Sequence, residues 1–253
     1  MSIIMPSEQP VFDKVRKIIT ASQNIVFFGG AGMSTESGVP DFRSVDGLYN
    51  QKYDYPPETI LSHSFFGAHP DVFYEFYRDK TIGPMVDAKP NKGHLKLAQW
   101  EREGKLKAVI TQNIDGLHQK AGSKEVLELH GSADKNYCPK CGRIFTMRDI
   151  MAETGIFRCP DCGKIVRSGA VRSGAVLYEE PLDNDIVTKA LYYIQNADVL
   201  IVAGTSLAVY PAAGFINYYR GDKLVFIEKN PSVTNPRADY TLHGKVGEIL
   251  DLI

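Results

Sequence analysis

The chain has 253 residues, 43% hydrophobic and 23% charged, with 22 glycines, 14 prolines and a formal net charge of -1. That composition supplies a sizeable core and excludes a mostly disordered chain, and the near-neutral charge offers no basic field for nucleic acid or an anionic membrane. No apolar run approaches the roughly 20 residues that cross a bilayer, and residues 1–10 lack the charged start and apolar middle of a signal peptide, so a cytoplasmic protein with no membrane contact is expected.

In chain order, residues 8–22 place Val11, Val15, Ile18 and Ile19 on one face behind Pro10, which predicts an amphipathic helix. Ile25–Phe28 is an apolar run with the character of a buried strand. It leads into residues 29–43, G-G-A-G-M-S-T-E-S-G-V-P-D-F-R, where four glycines, two serines and a threonine precede Asp41, Phe42 and Arg43. A glycine-rich loop after a strand lets backbone N–H groups approach a phosphate, although a short glycine motif alone is weak. Residues 44–84 are aromatic and broken by Pro56-Pro57, and predict a small helical insertion. Residues 92–103 read as helix, 105–112 as a strand ending in Asn113-Ile114-Asp115-Gly116-Leu117-His118, and 126–129 as a short strand ending in His130-Gly131. Helix is predicted over 184–196, a strongly apolar strand over 199–203 running into Gly204-Thr205-Ser206, helix over 211–219, strand over 223–227 and helix over 246–253.

Cys138-x-x-Cys141 and Cys159-x-x-Cys162 are separated by 17 residues, and each pair is followed by a glycine. Two such turns aim four thiolates at one tetrahedral zinc and leave no coordination position open, so the zinc is expected to be structural. Disulfides or a redox motif are the competing reading, and the matched pairs in a cytoplasmic setting weigh against them.

Alternating strands and helices predict an α/β fold with a doubly wound parallel sheet. Polar residues recur where strands end, at Gly29-Gly30, Gln112-Asn113-Asp115, His130 and Gly204-Thr205-Ser206. Ligands bind at the carboxyl ends of parallel strands, so these four segments should converge on one crevice.

With these motifs in place the chain resembles the sirtuins, NAD-dependent protein lysine deacylases. The resemblance rests on residues 30–43, T-Q-N-I-D-G-L-H (111–118), L-H-G (129–131), the paired cysteines, G-T-S (204–206) and V-Y-P-A-A (209–213), in the family's order and spacing. It implies a Rossmann-like NAD-binding part (1–43, 85–132 and 179–253), a helical insertion (44–84) and a zinc-ribbon module (133–178). Gly30, Ala31, Gly32, Met33, Ser34 and Thr35 would hold the NAD phosphates with Gly204, Thr205 and Ser206. Asp41, Phe42 and Arg43 would lie at the nicotinamide end, Gln112 and Asn113 at its ribose, and Ile114 and Asp115 at its carboxamide. Glu228, Lys245 and Val246 would serve the adenosine side. His130 matches the family's catalytic base, with Asn113 beside it, and an imidazole near its ordinary pKa can take a proton from a ribose hydroxyl. The implied products are deacylated lysine, nicotinamide and O-acyl-ADP-ribose. The acyl-lysine peptide would add as a strand between Val176, Tyr178, Glu179 and Glu180 on one side and Ala208, Val209 and Tyr210 on the other. A monomer is expected.

Three departures bear on activity. Arg-Ser-Gly-Ala-Val occurs twice, at 167–171 and 172–176, where the family has one such segment. The first copy is expected to bulge and Val176 to line the tunnel, because a slip of five would invert a strand's faces. Glu179 stands where the family has glycine, placing a carboxylate near the peptide or in solvent. Glu228 replaces an asparagine, and can still accept ribose hydroxyls. Tyr77-x-x-Lys80 is similar to the Tyr-x-x-Arg pair that binds acidic acyl groups, with lysine the weaker partner, so deacetylation is expected first. A mono-ADP-ribosyltransferase using the same NAD site, or a weakly active or non-catalytic NAD-binding protein, are the alternatives. A dehydrogenase would need a separate substrate domain, and nucleic-acid binding a basic aromatic face.

Overall fold

The computed structural model describes residues 6–41, 47, 54–167 and 174–253. Phe42, Arg43 and residues 168–173 of the duplicated segment therefore lie outside the described residues. Helix α1 (Gln9–Ala21) starts with a proline in its first turn and buries Phe12, Val15 and Ile19. Strand β1 (Ile25–Gly29) is buried throughout. The insertion supplies α2 (Pro57–Ile60), α3 (His63–Ala68), α4 (Pro70–Phe76), a π-helical turn (Tyr77–Ile82) and α5 (Gly83–Val86). Then follow α6 (Lys92–Arg102), β2 (Leu106–Thr111), α7 (Leu117–Ala121) and β3 (Val126–Glu128). The cysteine module holds β4 (Asn136–Tyr137), β5 (Ile144–Phe145) and α8 (Met147–Met151). The chain finishes with α9 (Asn184–Asn196), β6 (Val199–Ala203), a 3-10 helix (Ala212–Tyr218), β7 (Leu224–Glu228), β8 (Tyr240–His243) and α10 (Val246–Leu252).

Six strands form one parallel sheet in the order β3-β2-β1-β6-β7-β8. Strand order reverses between β1 and β6, so the crevice above that pair is the natural ligand position. Alternate side chains of β1 enter opposite layers. Phe27 packs with Phe12, Val15, Leu97 and Ile249, from α1, α6 and α10. Val26 and Phe28 pack with Ala190, Ile194 and Phe215, from α9 and the 3-10 helix. Burial on both faces explains why β1 and β6 are unbroken apolar runs. A third cluster joins the insertion to the cysteine module through Phe73, Tyr74, Tyr77, Phe145, Ile150, Phe157 and Leu177.

Two differences from the sequence-based expectation stand out. β8 is an additional edge strand, of which Leu242 alone is fully buried. The helix expected at 211–219 is 3-10, with Gly214 in its interior.

The capping of α6 shapes the base of the site. Asn91 Oδ1 accepts from the N–H groups of Gly93 and His94, and His94 Nδ1 accepts from the Asn91 N–H at 3.3 Å. His94 and His118 are buried with ring centroids 4.6 Å apart, and neither nitrogen of His118 has a hydrogen-bond partner among the described residues. Burial lowers His94 to about 4. Burial, then the neighbouring His94, lowers His118 well below its ordinary value. Between the unfolded value near 6.5 and the lowered folded values, the unfolded chain binds more protons, so stability falls as pH drops through that window. The expected slope is about 1.4 kcal/mol per pH unit per histidine. Urea titrations from pH 7 to 4.5 should show this loss, and His118→Leu should flatten it.

Candidate active site

The loops leaving β1 and β6 cross in contact. Gly30 N–H donates to Ala203 O at 3.1 Å and Gly32 N–H to Gly204 O at 2.8 Å. A Cβ on Gly32 would lie 2.7 Å from Gly204 Cα, and Gly204, at φ +59°, would bring one within 2.6 Å of Met33 N. Neither position admits a larger residue without moving backbone. Asn91 Nδ2 holds the same loop from below by donating to Met33 O at 2.7 Å.

The end of β2 is tied to both loops. Gln112 Nε2 donates to Thr205 Oγ1 at 3.2 Å. Asn113 Nδ2 donates to Gly30 O at 3.1 Å and to Ser34 Oγ at 3.0 Å. Ser34 Oγ in turn donates to Asp115 Oδ2 at 2.6 Å, and Asp115 Oδ1 accepts from Leu117 N–H at 2.8 Å. Burial pushes the Asp115 carboxyl up, opposed by those two hydrogen bonds and by the charge of Lys120. A buried carboxylate so constrained suits an amide or hydroxyl donor.

His130 follows β3. Its Nδ1 lies 2.9 Å from Gln112 O. A carbonyl can only accept, so Nδ1 carries the proton and Nε2 keeps its lone pair. Burial lowers the His130 pKa, and the bond to Gln112 raises it by less. The imidazole is therefore neutral at neutral pH.

The remaining candidates divide. Thr35 Oγ1 donates to Gly32 O within the loop. Asp41 and Ile114 are half-buried, and Asp41 is the last residue described before Phe42. Glu228 ends β7 and accepts from Asn230 N–H at 3.2 Å. Lys245 pairs with Glu248 at 2.9 Å, whereas the Val246 side chain is buried in the core, leaving its backbone as the part available to a ligand. Tyr210 is 75% exposed, and Val209 O accepts from Ala213 N–H.

The expectation that the first copy bulges is corrected at Arg167, and its remaining residues lie outside the described residues. Arg167 of the first copy pairs with Tyr137 in both directions at 3.0 Å and donates to Glu180. From the second copy, Gly174 bridges Ser132, and Val176 N–H donates to His130 O at 2.8 Å. Arg167 and residues 174–176 thus satisfy different backbone edges, and residues 168–173 between them lie outside the described residues. Tyr178 is bonded through its N–H to Leu61 O and through its O to His63 N–H. These bonds occupy the backbone groups that peptide pairing at Tyr178 would use. Glu179 is exposed, and its carboxylate bonds Ser64. Tyr77 is buried, stacked on Phe73 and hydrogen-bonded to Asn136, and Lys80 pairs with Asp79, so these two residues are engaged within the small cluster.

Residues 61–64 and Asn91 were missed in the sequence reading. Asn91-x-x-His94 carries a capping signature that could have flagged the first turn of α6. Nothing local signals that Leu61–Ser64 meets residues 178–180.

The four cysteine sulfurs lie within 4.8 Å of one another, with Cys138–Cys162 at 3.3 Å and Cys141–Cys159 at 3.6 Å. Zinc–sulfur bonds near 2.3 Å would space tetrahedral sulfurs by about 3.8 Å, so the cluster fits one zinc ion. Both turns repeat one geometry, with Gly142 N–H donating to Cys138 O and Gly163 N–H to Cys159 O at 2.8 Å. The hydroxyls, amides and buried carboxylate above β1 and β6 likewise fit a dinucleotide's ribose and carboxamide groups.

This is the strand-end site of a doubly wound nucleotide-binding fold. Residues 30–211 match the Sir2 family model, and the chain belongs to the Sir2 family. It is 50% identical over 244 residues to the NAD-dependent protein deacetylase of Clostridium acetobutylicum, covering 95% of this chain and 97% of that protein. A solved Sir2 bound to acetylated peptide is 34% identical with a TM-score of 0.80, covering 94% of this chain and 95% of that one. A mutant Sir2 homologue in complex with 2'-O-acetyl ADP ribose is 36% identical with a TM-score of 0.82, covering 95% and 93%.

Metal analysis should give one zinc per chain. Cys159→Ser should lose it together with much of the small cluster's stability, since structural zinc contributes on the order of 10 kcal/mol. Near-ultraviolet dichroism from the tyrosines around Tyr74 and a melting curve would read that loss.

Proposed function

We propose that the chain is an NAD-dependent protein deacetylase acting on acetyl-lysine side chains, with O-acetyl-ADP-ribose and nicotinamide as co-products. The observation that carries this reading is His130 at the strand-end crevice, kept neutral by burial and oriented by its Nδ1–H bond to Gln112 O so that Nε2 keeps its lone pair. Bound NAD supplies the activated ribose that receives the acetyl group. Nε2 of His130 would accept a proton from a hydroxyl of the NAD ribose, and its lowered pKa keeps it unprotonated at neutral pH. Asn113 and Ser34 hold the loop after β1 against β2, so the groups facing the ribose are set before binding. Gly30, Ala31, Gly32, Ser34, Thr205 and Ser206 hold the phosphates, Asp115 and Ile114 the carboxamide, and Glu228 the adenosine ribose. Val176 beside His130 and Ala208–Tyr210 opposite flank the peptide. Acetyl is preferred to acidic acyl groups, because Tyr77 and Lys80 are bonded to Asn136 and Asp79.

Incubation with NAD and an acetyl-lysine peptide should yield O-acetyl-ADP-ribose by mass; its absence despite NAD binding would sink the proposal. Attachment of ADP-ribose to a protein acceptor instead would point to a transferase. His130→Ala should lower kcat/KM about 10²- to 10⁴-fold with fold and zinc retained. In the native chain kcat/KM should fall as pH drops through a value under 6.5, because the protonated imidazole has no lone pair to offer.

A further inference from the structure

Residues 176–180 form a short span fixed at both ends. At one end Val176 N–H donates to the backbone O of His130 at 2.8 Å. At the other, Tyr178 pairs with Leu61 and His63 at the start of α3. Two consecutive carboxylates reinforce that second attachment. Glu180, with its side chain 7% exposed, accepts from Arg167, from Leu177 N–H at 3.1 Å and at its Oε1 lies 2.9 Å from His63 Nδ1. Glu179 accepts from Ser64 N–H and Ser64 Oγ, both at 2.9 Å, one through each carboxylate oxygen.

Glu179 has φ +75°, in the left-handed region that L side chains rarely adopt. A strained residue persists where its surroundings over-determine it. Here the bidentate bond to the first turn of α3 does so, and the carboxylate takes up the Ser64 N–H, which has no partner within the helix. Val176 and Glu179 are three residues apart, so movement at Glu179 reaches the span that pairs with His130.

We propose that Glu179 is a positioning residue for the acyl-lysine peptide: its carboxylate staples the insertion to the span 176–180 and so sets the cleft wall beside His130. This rests on the deacetylase reading. The carboxylate is committed to Ser64, so it does not select basic residues flanking the acetyl-lysine.

The test combines kinetics with direct binding of a fluorescent acetyl-lysine peptide by anisotropy, using Glu179→Ala, Glu179→Gln, Glu179→Gly and Ser64→Ala in the full chain. Glu179→Ala should raise the peptide KM and Kd about three- to tenfold, as for loss of a charge-assisted hydrogen bond, with KM for NAD unchanged. Glu179→Gln should recover part of the affinity, since one oxygen still accepts. Glu179→Gly, which relieves the backbone but removes the carboxylate, should remain weakened. Ser64→Ala should weaken binding less, and add little to Glu179→Ala because the two share one interaction. Peptides with basic and acidic flanks should lose affinity equally. The inference is overturned if all four variants bind peptide as the native chain does, if KM for NAD rises in parallel, or if only basic-flanked peptides are affected. A native chain that binds peptide but forms no O-acetyl-ADP-ribose counts against the deacetylase reading alone; native activity with unchanged variants counts against Glu179 alone. Zinc content and melting temperature verify folding, and Ser64→Ala keeps the test decisive if Glu179→Ala unfolds.

Discussion

The contact between Gly32 and Gly204 is the constraint on which the site depends. Two loops leave adjacent parallel strands at the reversal of strand order, and they meet with backbone against backbone. Only because they are that close can Asn113 reach Gly30 and Ser34 together while Gln112 reaches Thr205. Ser34 Oγ in turn donates a hydrogen bond to the buried Asp115 carboxylate. A single added methyl group at the crossing would meet backbone at under 3 Å and force the loops to shift.

A second layer of constraint comes from outside the sheet. The insertion and the cysteine module share one hydrophobic cluster, so the aromatics of 65–77 serve mainly as packing for the module that the metal closes. Tyr74 illustrates the point: its hydroxyl donates to Val166 O and burial pushes the phenol up, both marks of an interior residue. The span 176–180 runs between that cluster and His130, touching both. Within the tandem repeat, Arg167 pairs with Tyr137 of the module and Val176 with His130 of the active site.

Much of the fold was legible. The unbroken apolar runs of β1 and β6 announce strands buried on both faces, and the strand-end motifs point to one crevice. β8 was not legible, because an edge strand with one deeply buried side chain carries no apolar pattern; its place is set by pairing with β7. Residues 211–219 read as helix, yet the interior glycine and short length leave a 3-10 geometry over Ala212–Tyr218, packed against α9 and β6.

At the site, the sequence by itself determined which chemical groups are present: glycines where loops must cross, a histidine after β3, amides after β2 and four thiols at metal-binding spacing. These follow from local rules, since backbone freedom, side-chain chemistry and spacing are properties of the chain. Only the tertiary structure decided what each group does with its neighbours. It made His130 a neutral base by burying it, and by setting Gln112 O against Nδ1 it left the lone pair on Nε2. It split the repeat between two partners, and it turned Glu179 from a charge near the peptide into a cap on α3. Those outcomes depend on pairings more than a hundred residues apart in the case of Glu179 and Ser64, and no local pattern encodes them.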